Sequence, residues 1–74
     1  MQKTIYSETH KFTVQKLILA REAAGLRQED VAKLLKKTQS YLSKIEAGQR
    51  RIDLCQLDAF AKIYKKPLSF FIPR

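Results

Sequence analysis

QEDVAKLLKKTQSYLSKIEAG, residues Gln28 to Gly48, reads as two short helices joined by a tight turn. At 3.6 residues per turn, Val31, Ala32, Leu34 and Leu35 fall on one face of the first helix, over residues 28–35. Thr38 opens the second helix, because its hydroxyl can accept from an orphan backbone N–H of the first turn. Gly48 closes it, glycine being suited to the left-handed conformation at a helix C-terminus. Within this second helix Tyr41, Leu42 and Ile45 gather on one side, and Gln39, Ser40, Ser43 and Lys44 on the other.

The polar side carries the information. A face selected only for solubility more often shows Glu and Lys paired at i,i+4. Gln and Ser both donate and accept hydrogen bonds, which suits the reading of base edges. An ordinary solvated face is the competing reading of these four residues, and the surrounding pattern weighs against it.

That pattern resembles the helix-turn-helix of the phage-repressor and Cro-like family, also called the Xre family. The resemblance rests on Gln28 opening the first helix and Ala32 at the helix crossing. Leu42 and Ile45 are its inward residues, and Ser43-Lys44-Ile45-Glu46-Ala47-Gly48 closes the unit. Ala32 has a physical reason to be small, since two helices crossing steeply bring their backbones close. The likeness continues through Arg21 to Leu26 and Arg50 to Asp53, and spans most of residues 7–72. Arg27 stands where the family usually has a Thr or Ser cap, and Lys36 where its turn usually has Gly. The second departure asks a residue with a Cβ to adopt positive φ, which is uncommon. The resemblance implies an all-α, lambda-repressor-like domain of five short helices, with the helix-turn-helix at the second and third. It also implies a salt bridge between Arg21 and Glu46, tying the first helix to the third.

Composition bounds the function classes. Seventy-four residues, 45% hydrophobic and 30% charged with two Gly and two Pro, describe one folded helical domain, residues 1–74. A net charge of +8 points to a polyanionic partner. Lys36, Lys37, Lys44, Arg50 and Arg51 stand against Glu46 alone between residues 36 and 51, so half of that charge lies in one stretch. A membrane-lying helix would need a large free apolar face, and the helix-turn-helix spends its apolar face on its own core. Double-stranded DNA is the better partner, with no membrane. No apolar run is long enough to span a bilayer, and MQKTIYSETHK has no signal core. Cys55 is the only cysteine, so a disulfide within the chain and a cysteine metal cluster are both excluded. A cytoplasmic protein without metal or cofactor is expected.

Outward from the central stretch, residues 1–6 read as a loose arm. Ser7 and Glu8 open a helix running to about Ala24 and stopped at Gly25, with Val14, Leu17, Ile18, Arg21 and Ala24 on one face. His10, the only histidine, has no partner at ligand spacing and reads as exposed. Asp53 and Gln56 have capping-box spacing and start a helix to Tyr64 or Lys65. Leu54, Leu57, Phe60, Ala61 and Tyr64 form its core face, while Cys55, Ala59 and Ile63 form a second apolar stripe in which Cys55 reads as packed. Pro67 ends that helix, and Leu68 to Ile72 follow as one more short turn before Pro73. Four apolar residues in five exceed what so short an element can bury. The family often places its dimer contact in this region.

The leading reading is a small transcriptional regulator that binds DNA as a dimer on a palindrome, with recognition helix 39–47 in the major groove. Gln39 is suited to bidentate pairing with adenine, Lys44 to the acceptors of guanine, and Ser40 to either role. Gln28, Lys37, Tyr41, Ser43 and Arg50, with Arg27 and Arg51, are candidates for phosphate contact. Ile63, Leu68, Phe70, Phe71 and Ile72 are candidates for a homodimer interface. A reading from another class is a protein-interaction module, such as an antitoxin or adaptor, acting through the C-terminal apolar patch. An enzyme is the weakest reading, since no catalytic set, glycine-rich phosphate loop or paired carboxylate is evident.

Overall fold

The computed structural model describes residues 7–73, so the arm expected over residues 1–6 lies outside the described residues. Four α-helices follow in order: α1 Glu8–Ala23, α2 Gln28–Leu35, α3 Gln39–Glu46 and α4 Leu54–Tyr64. The fifth helix expected from the sequence is a single 3₁₀ turn, Leu68–Phe71. No strand occurs among the described residues. None of the described helices is long and apolar enough to cross a membrane.

Local chemistry accounts for the helix starts. The Ser7 hydroxyl accepts from the His10 N–H at 3.1 Å. Thr38 Oγ1 accepts from the Tyr41 N–H at 3.2 Å. Asp53 and Gln56 form a reciprocal capping box, with bonds of 2.7 and 2.8 Å. Arg27, at the head of α2, has no acceptor in its side chain. There Asp30 supplies the whole cap, accepting from the Arg27 N–H at 2.8 Å and from its guanidinium at 3.2 and 3.3 Å.

The helix ends share one device. After each of α1 to α4 the chain enters the left-handed region, at Gly25 (φ 73°), Lys36 (φ 58°), Gly48 (φ 77°) and Lys65 (φ 57°). The next N–H then reaches back five residues, as from Lys37 to the Ala32 carbonyl at 2.8 Å and from Lys66 to the Ala61 carbonyl at 3.0 Å. These are Schellman closures, and they satisfy carbonyls that the helix leaves orphaned. Lysine takes the glycine position twice.

The core lies where α1, α2, α3, α4 and the 3₁₀ turn meet. It is built from Leu17, Ala20, Val31, Ala32, Leu42, Ile45, Leu57, Phe60, Ala61, Tyr64 and Phe71. Small Ala32 is buried in this core, on the helix that packs against α3. Five expectations fail at the margins. Leu34 is 61% exposed, because it lies round the helix from the direction shared by Val31, Ala32 and Leu35. Leu54 is 67% exposed, as the first residue of α4 at the rim of the core. Cys55 is exposed rather than packed, and Ala24 is exposed past the end of α1. His10 is half-buried rather than exposed, and its Nε2 has no partner among the described residues.

The C-terminal segment departs most from expectation. Phe71 has no exposed surface and is one of the two largest fully buried side chains, so it cannot contact a second copy. Its carbonyl accepts from Thr13 Oγ1 at 2.7 Å, which draws the turn onto α1. Phe70 meets Phe71 edge to face at 5.0 Å. The Lys16 and Lys66 ammonium groups lie 4.9 and 5.0 Å from the centre of the Phe70 ring. Leu68 and Ile63 pack partly against the core, and Ile72 is 44% exposed. The apolar excess is therefore smaller than the sequence suggested.

Candidate nucleic-acid interface

Burial of Leu42 and Ile45 fixes the rotation of α3, and the opposite side must then face solvent. Gln39, Ser40, Ser43 and Lys44 are all exposed there. The turn before α3 and the loop after it converge beside this face. Lys36, Lys37, Thr38, Ser40, Tyr41, Lys44 and Arg50 line one open concavity of about 410 Å³. Four of those seven carry positive charge. The Lys36 contribution depends on its left-handed backbone, which turns the chain between the two helices.

Tyr41 forms the wall of this groove and is held from behind. Its hydroxyl accepts from Gln56 Nε2 at 2.8 Å. The Lys37 ammonium lies 5.2 Å from the ring centre, and the Arg50 guanidinium 5.1 Å. A tyrosine ring attracts cations to its face, so these two charges are gathered against the groove rather than dispersed into solvent. Arg51 is exposed but does not line the groove. Arg27 lies at the head of α2, where its guanidinium is bound to Asp30. That hydrogen bond, with the one from the Arg27 backbone, holds the Asp30 carboxyl below its ordinary value of 3.8.

Behind the exposed face runs a chain of polar side chains. Arg21 Nε donates to Glu46 Oε2 at 2.7 Å and Arg21 Nη2 to Glu46 Oε1 at 3.1 Å, a bidentate pair. The two side chains are 14% and 7% exposed. Arg21 Nη1 also donates to the Leu26 carbonyl at 2.9 Å, pinning the loop between α1 and α2. Bonding to Glu46 raises the Arg21 pKa further above its ordinary value, against the opposing effect of burial. Gln28 Nε2 donates to Glu46 Oε1 at 3.0 Å. Gln39 Nε2 donates to Gln28 Oε1 at 3.4 Å, which reaches the exposed face of α3.

Sequence reasoning missed three parts of this assembly. Lys36 and Thr38 line the groove, although they read only as turn and cap. Gln56 read as half of a capping box and also anchors Tyr41. Gln28 read as a free phosphate donor, and part of its amide is bound to Glu46. Only Lys36 carried a signal of its own, its charge; the other contacts join residues 15 and 18 positions apart. Among the described residues no cluster of three His, Cys, Asp or Glu could hold a metal ion.

The pattern of the helix-turn-helix family matches residues 17–71. The solved structure of the DNA-binding domain of BldD from S. venezulae superposes with a TM-score of 0.77 at 25% identity, covering 90% of this chain and 100% of that one. The comparison with curated proteins finds no match. With the family pattern spanning most of its length and the paired helices α2 and α3 lying inside the matched residues, the chain belongs to the Xre-type helix-turn-helix family of DNA-binding proteins.

Proposed function

We propose that this chain is a small transcriptional regulator that binds double-stranded DNA sequence-specifically, with α3 in the major groove and α2 across the backbone. The observation that carries the reading is the meeting of two surfaces. The donor–acceptor face of Gln39, Ser40 and Lys44 adjoins a cationic groove walled by Tyr41. The first surface matches base edges and the second matches phosphate. Gln39 pairs with adenine, Lys44 with guanine, and Ser40 with either. Gln28, Lys37, Tyr41, Ser43 and Arg50 hold the backbone, with Arg27 and Arg51 at the margin. The likeness to the BldD DNA-binding domain supports the same reading.

Two copies act on a palindrome, because one short helix reads too few base pairs to select a site. Of the expected interface, Ile63, Leu68, Phe70 and Ile72 remain once Phe71 is assigned to the core, and exposed Leu54 shares a concavity with Ile72. The rival reading, an interaction module working through a large apolar C-terminal patch, is weakened by the burial of Phe71 and by the lysines on Phe70.

Selection of bound fragments from a random duplex library tests the proposal. A palindrome with half-sites about one helical turn, roughly 34 Å, apart is expected. Lys37→Ala and Arg50→Ala should each weaken specific and non-specific binding alike and lower the log–log salt slope by about one. Recovery of no common sequence would reject sequence-specific binding. An unchanged slope in both variants would remove those two residues from the interface.

A further inference from the structure

We infer that Glu46, which lies behind the DNA-facing surface, is a specificity-determining positioning residue: its carboxylate sets the direction of the hydrogen bonds through Gln28 and so decides which edge of the Gln39 amide faces a base. The inference rests on the reading of α3 as the recognition helix.

An ionised carboxylate only accepts, and Arg21 only donates. With both Arg21 bonds on Glu46, the group that Gln28 turns towards it must be its NH₂, and that contact is 3.0 Å. Gln28 then has only its carbonyl to offer to α3. Gln39 must answer with its own NH₂, as the 3.4 Å contact shows. One Gln39 N–H is thereby used, and its second N–H and its carbonyl stay free side by side. That pair matches the N7 acceptor and N6 amino group of adenine. Reversed polarity would turn the Gln39 carbonyl towards Gln28 and leave two N–H donors outward. Two donors match the N7 and O6 acceptors of guanine. A glutamine alone is indifferent between these states, so the choice comes from the one member of the chain that cannot reverse. The pair is also rigid, since Glu46 is 7% exposed and doubly bonded to Arg21.

The test is Glu46→Gln. Glu46 Oε2 accepts from Arg21 Nε at 2.7 Å, and Oε1 accepts from both Arg21 Nη2 and Gln28 Nε2. The shorter contact claims the introduced carbonyl, so the introduced NH₂ takes the Oε1 place, gives up the 3.1 Å bond to Arg21 Nη2, faces Gln28 and reverses the chain. First, Gln39→Ala in the duplex selection identifies the base-pair column that Gln39 reads. In that column Glu46→Gln should shift the preference from adenine towards guanine by about tenfold, the other columns staying as in wild type. A merely structural role would weaken all columns together. Gln28→Ala, which leaves the Arg21–Glu46 pair whole, is the second variant; it should admit adenine and guanine equally in the same column, and it decides the matter if Glu46→Gln does not fold. Hydrogen exchange of the Gln28 side-chain amide in the DNA-free protein gives an independent reading, with slowed exchange expected in wild type. A Gln39 column whose adenine preference survives in both variants overturns the relay while leaving the recognition helix in place, whatever overall affinity is lost with the Gln28 phosphate contact. Fast Gln28 exchange overturns the relay as well. A wild-type selection without any common sequence, or Gln39→Ala without an affected column, overturns the reading on which the relay stands.

Discussion

Tyr64 shows how a single residue can sit at odds with its surroundings. Its ring is 5% exposed and stacks against Phe60 at 6.0 Å, which suits an aromatic in a core. Its hydroxyl is buried with no hydrogen-bond partner among the described residues. Burial raises the hydroxyl pKa above the ordinary 10.0, the negative charge of Glu46 raises it further, and Arg21 opposes both. Because the folded state holds this proton more tightly, the associated stability is complete below pH 10.0 and declines as the pH rises above it. Tyr64→Phe removes the unpaired hydroxyl and keeps the ring. Urea unfolding at neutral pH should find the variant as stable as wild type or more stable by up to about 1 kcal/mol. The loss of stability above pH 10.0 should also be smaller. A loss of more than about 1 kcal/mol at neutral pH would assign the hydroxyl a hydrogen bond that matters.

At the scale of elements, the helix ends and the C-terminal turn make separate predictions. Lys36 and Lys65 occupy left-handed positions that cost a residue bearing a Cβ roughly 1–2 kcal/mol, against roughly 0.5–1 for the extra chain entropy of glycine. Lys36→Gly and Lys65→Gly should therefore each raise stability by up to about 1 kcal/mol, or roughly 4–8 °C in thermal melting of a domain this small. Only Lys36 lines the groove, so only Lys36→Gly should also lower the salt dependence of DNA binding. If both variants melt earlier, the lysine side chains contribute more than their backbone strain costs. Phe71 belongs to the same scale, since one residue docks the whole 3₁₀ turn. Phe71→Ala should cost about 3–5 kcal/mol by emptying a fully buried site, enough to unfold a marginal domain. A cost below about 1 kcal/mol would mean that the turn closes over the gap.

For the whole molecule the open matter is assembly. One copy extends 36 Å along its longest axis, comparable with the roughly 34 Å between half-sites, so two copies side by side can reach both. The exposed apolar residues nearest the C-terminus are Ile72 and, across a shared concavity, Leu54. A two-fold contact uses the same patch twice, which a small cluster can satisfy. Ile72→Asp should leave the fold intact, weaken binding to a palindrome and leave an isolated half-site unaffected. Sedimentation checks it: a wild type that is monomeric both free and on the palindrome would remove this patch from the dimer contact.

Helix boundaries were legible in the sequence because their causes are local. Ser7, Thr38 and Asp53 cap helices within three residues of themselves, and Gly25 and Gly48 end them by a property of their own backbone. The α3 face was legible too, since inward Leu42 and Ile45 define the outward residues by periodicity alone. Burial at the ends of elements was not. Leu54 and Phe71 are both large and apolar, yet one is 67% exposed and the other fully buried, because only the docking of the 3₁₀ turn on α1 separates them. The polar chain from Arg21 to Gln39 lay equally beyond sequence reasoning. The sequence determined which residue types were present, and the resemblance implied its first pair. Its direction through Gln28 depends on three helices placing a carboxylate, two amides and a guanidinium within hydrogen-bond reach, and only the packed core sets those distances.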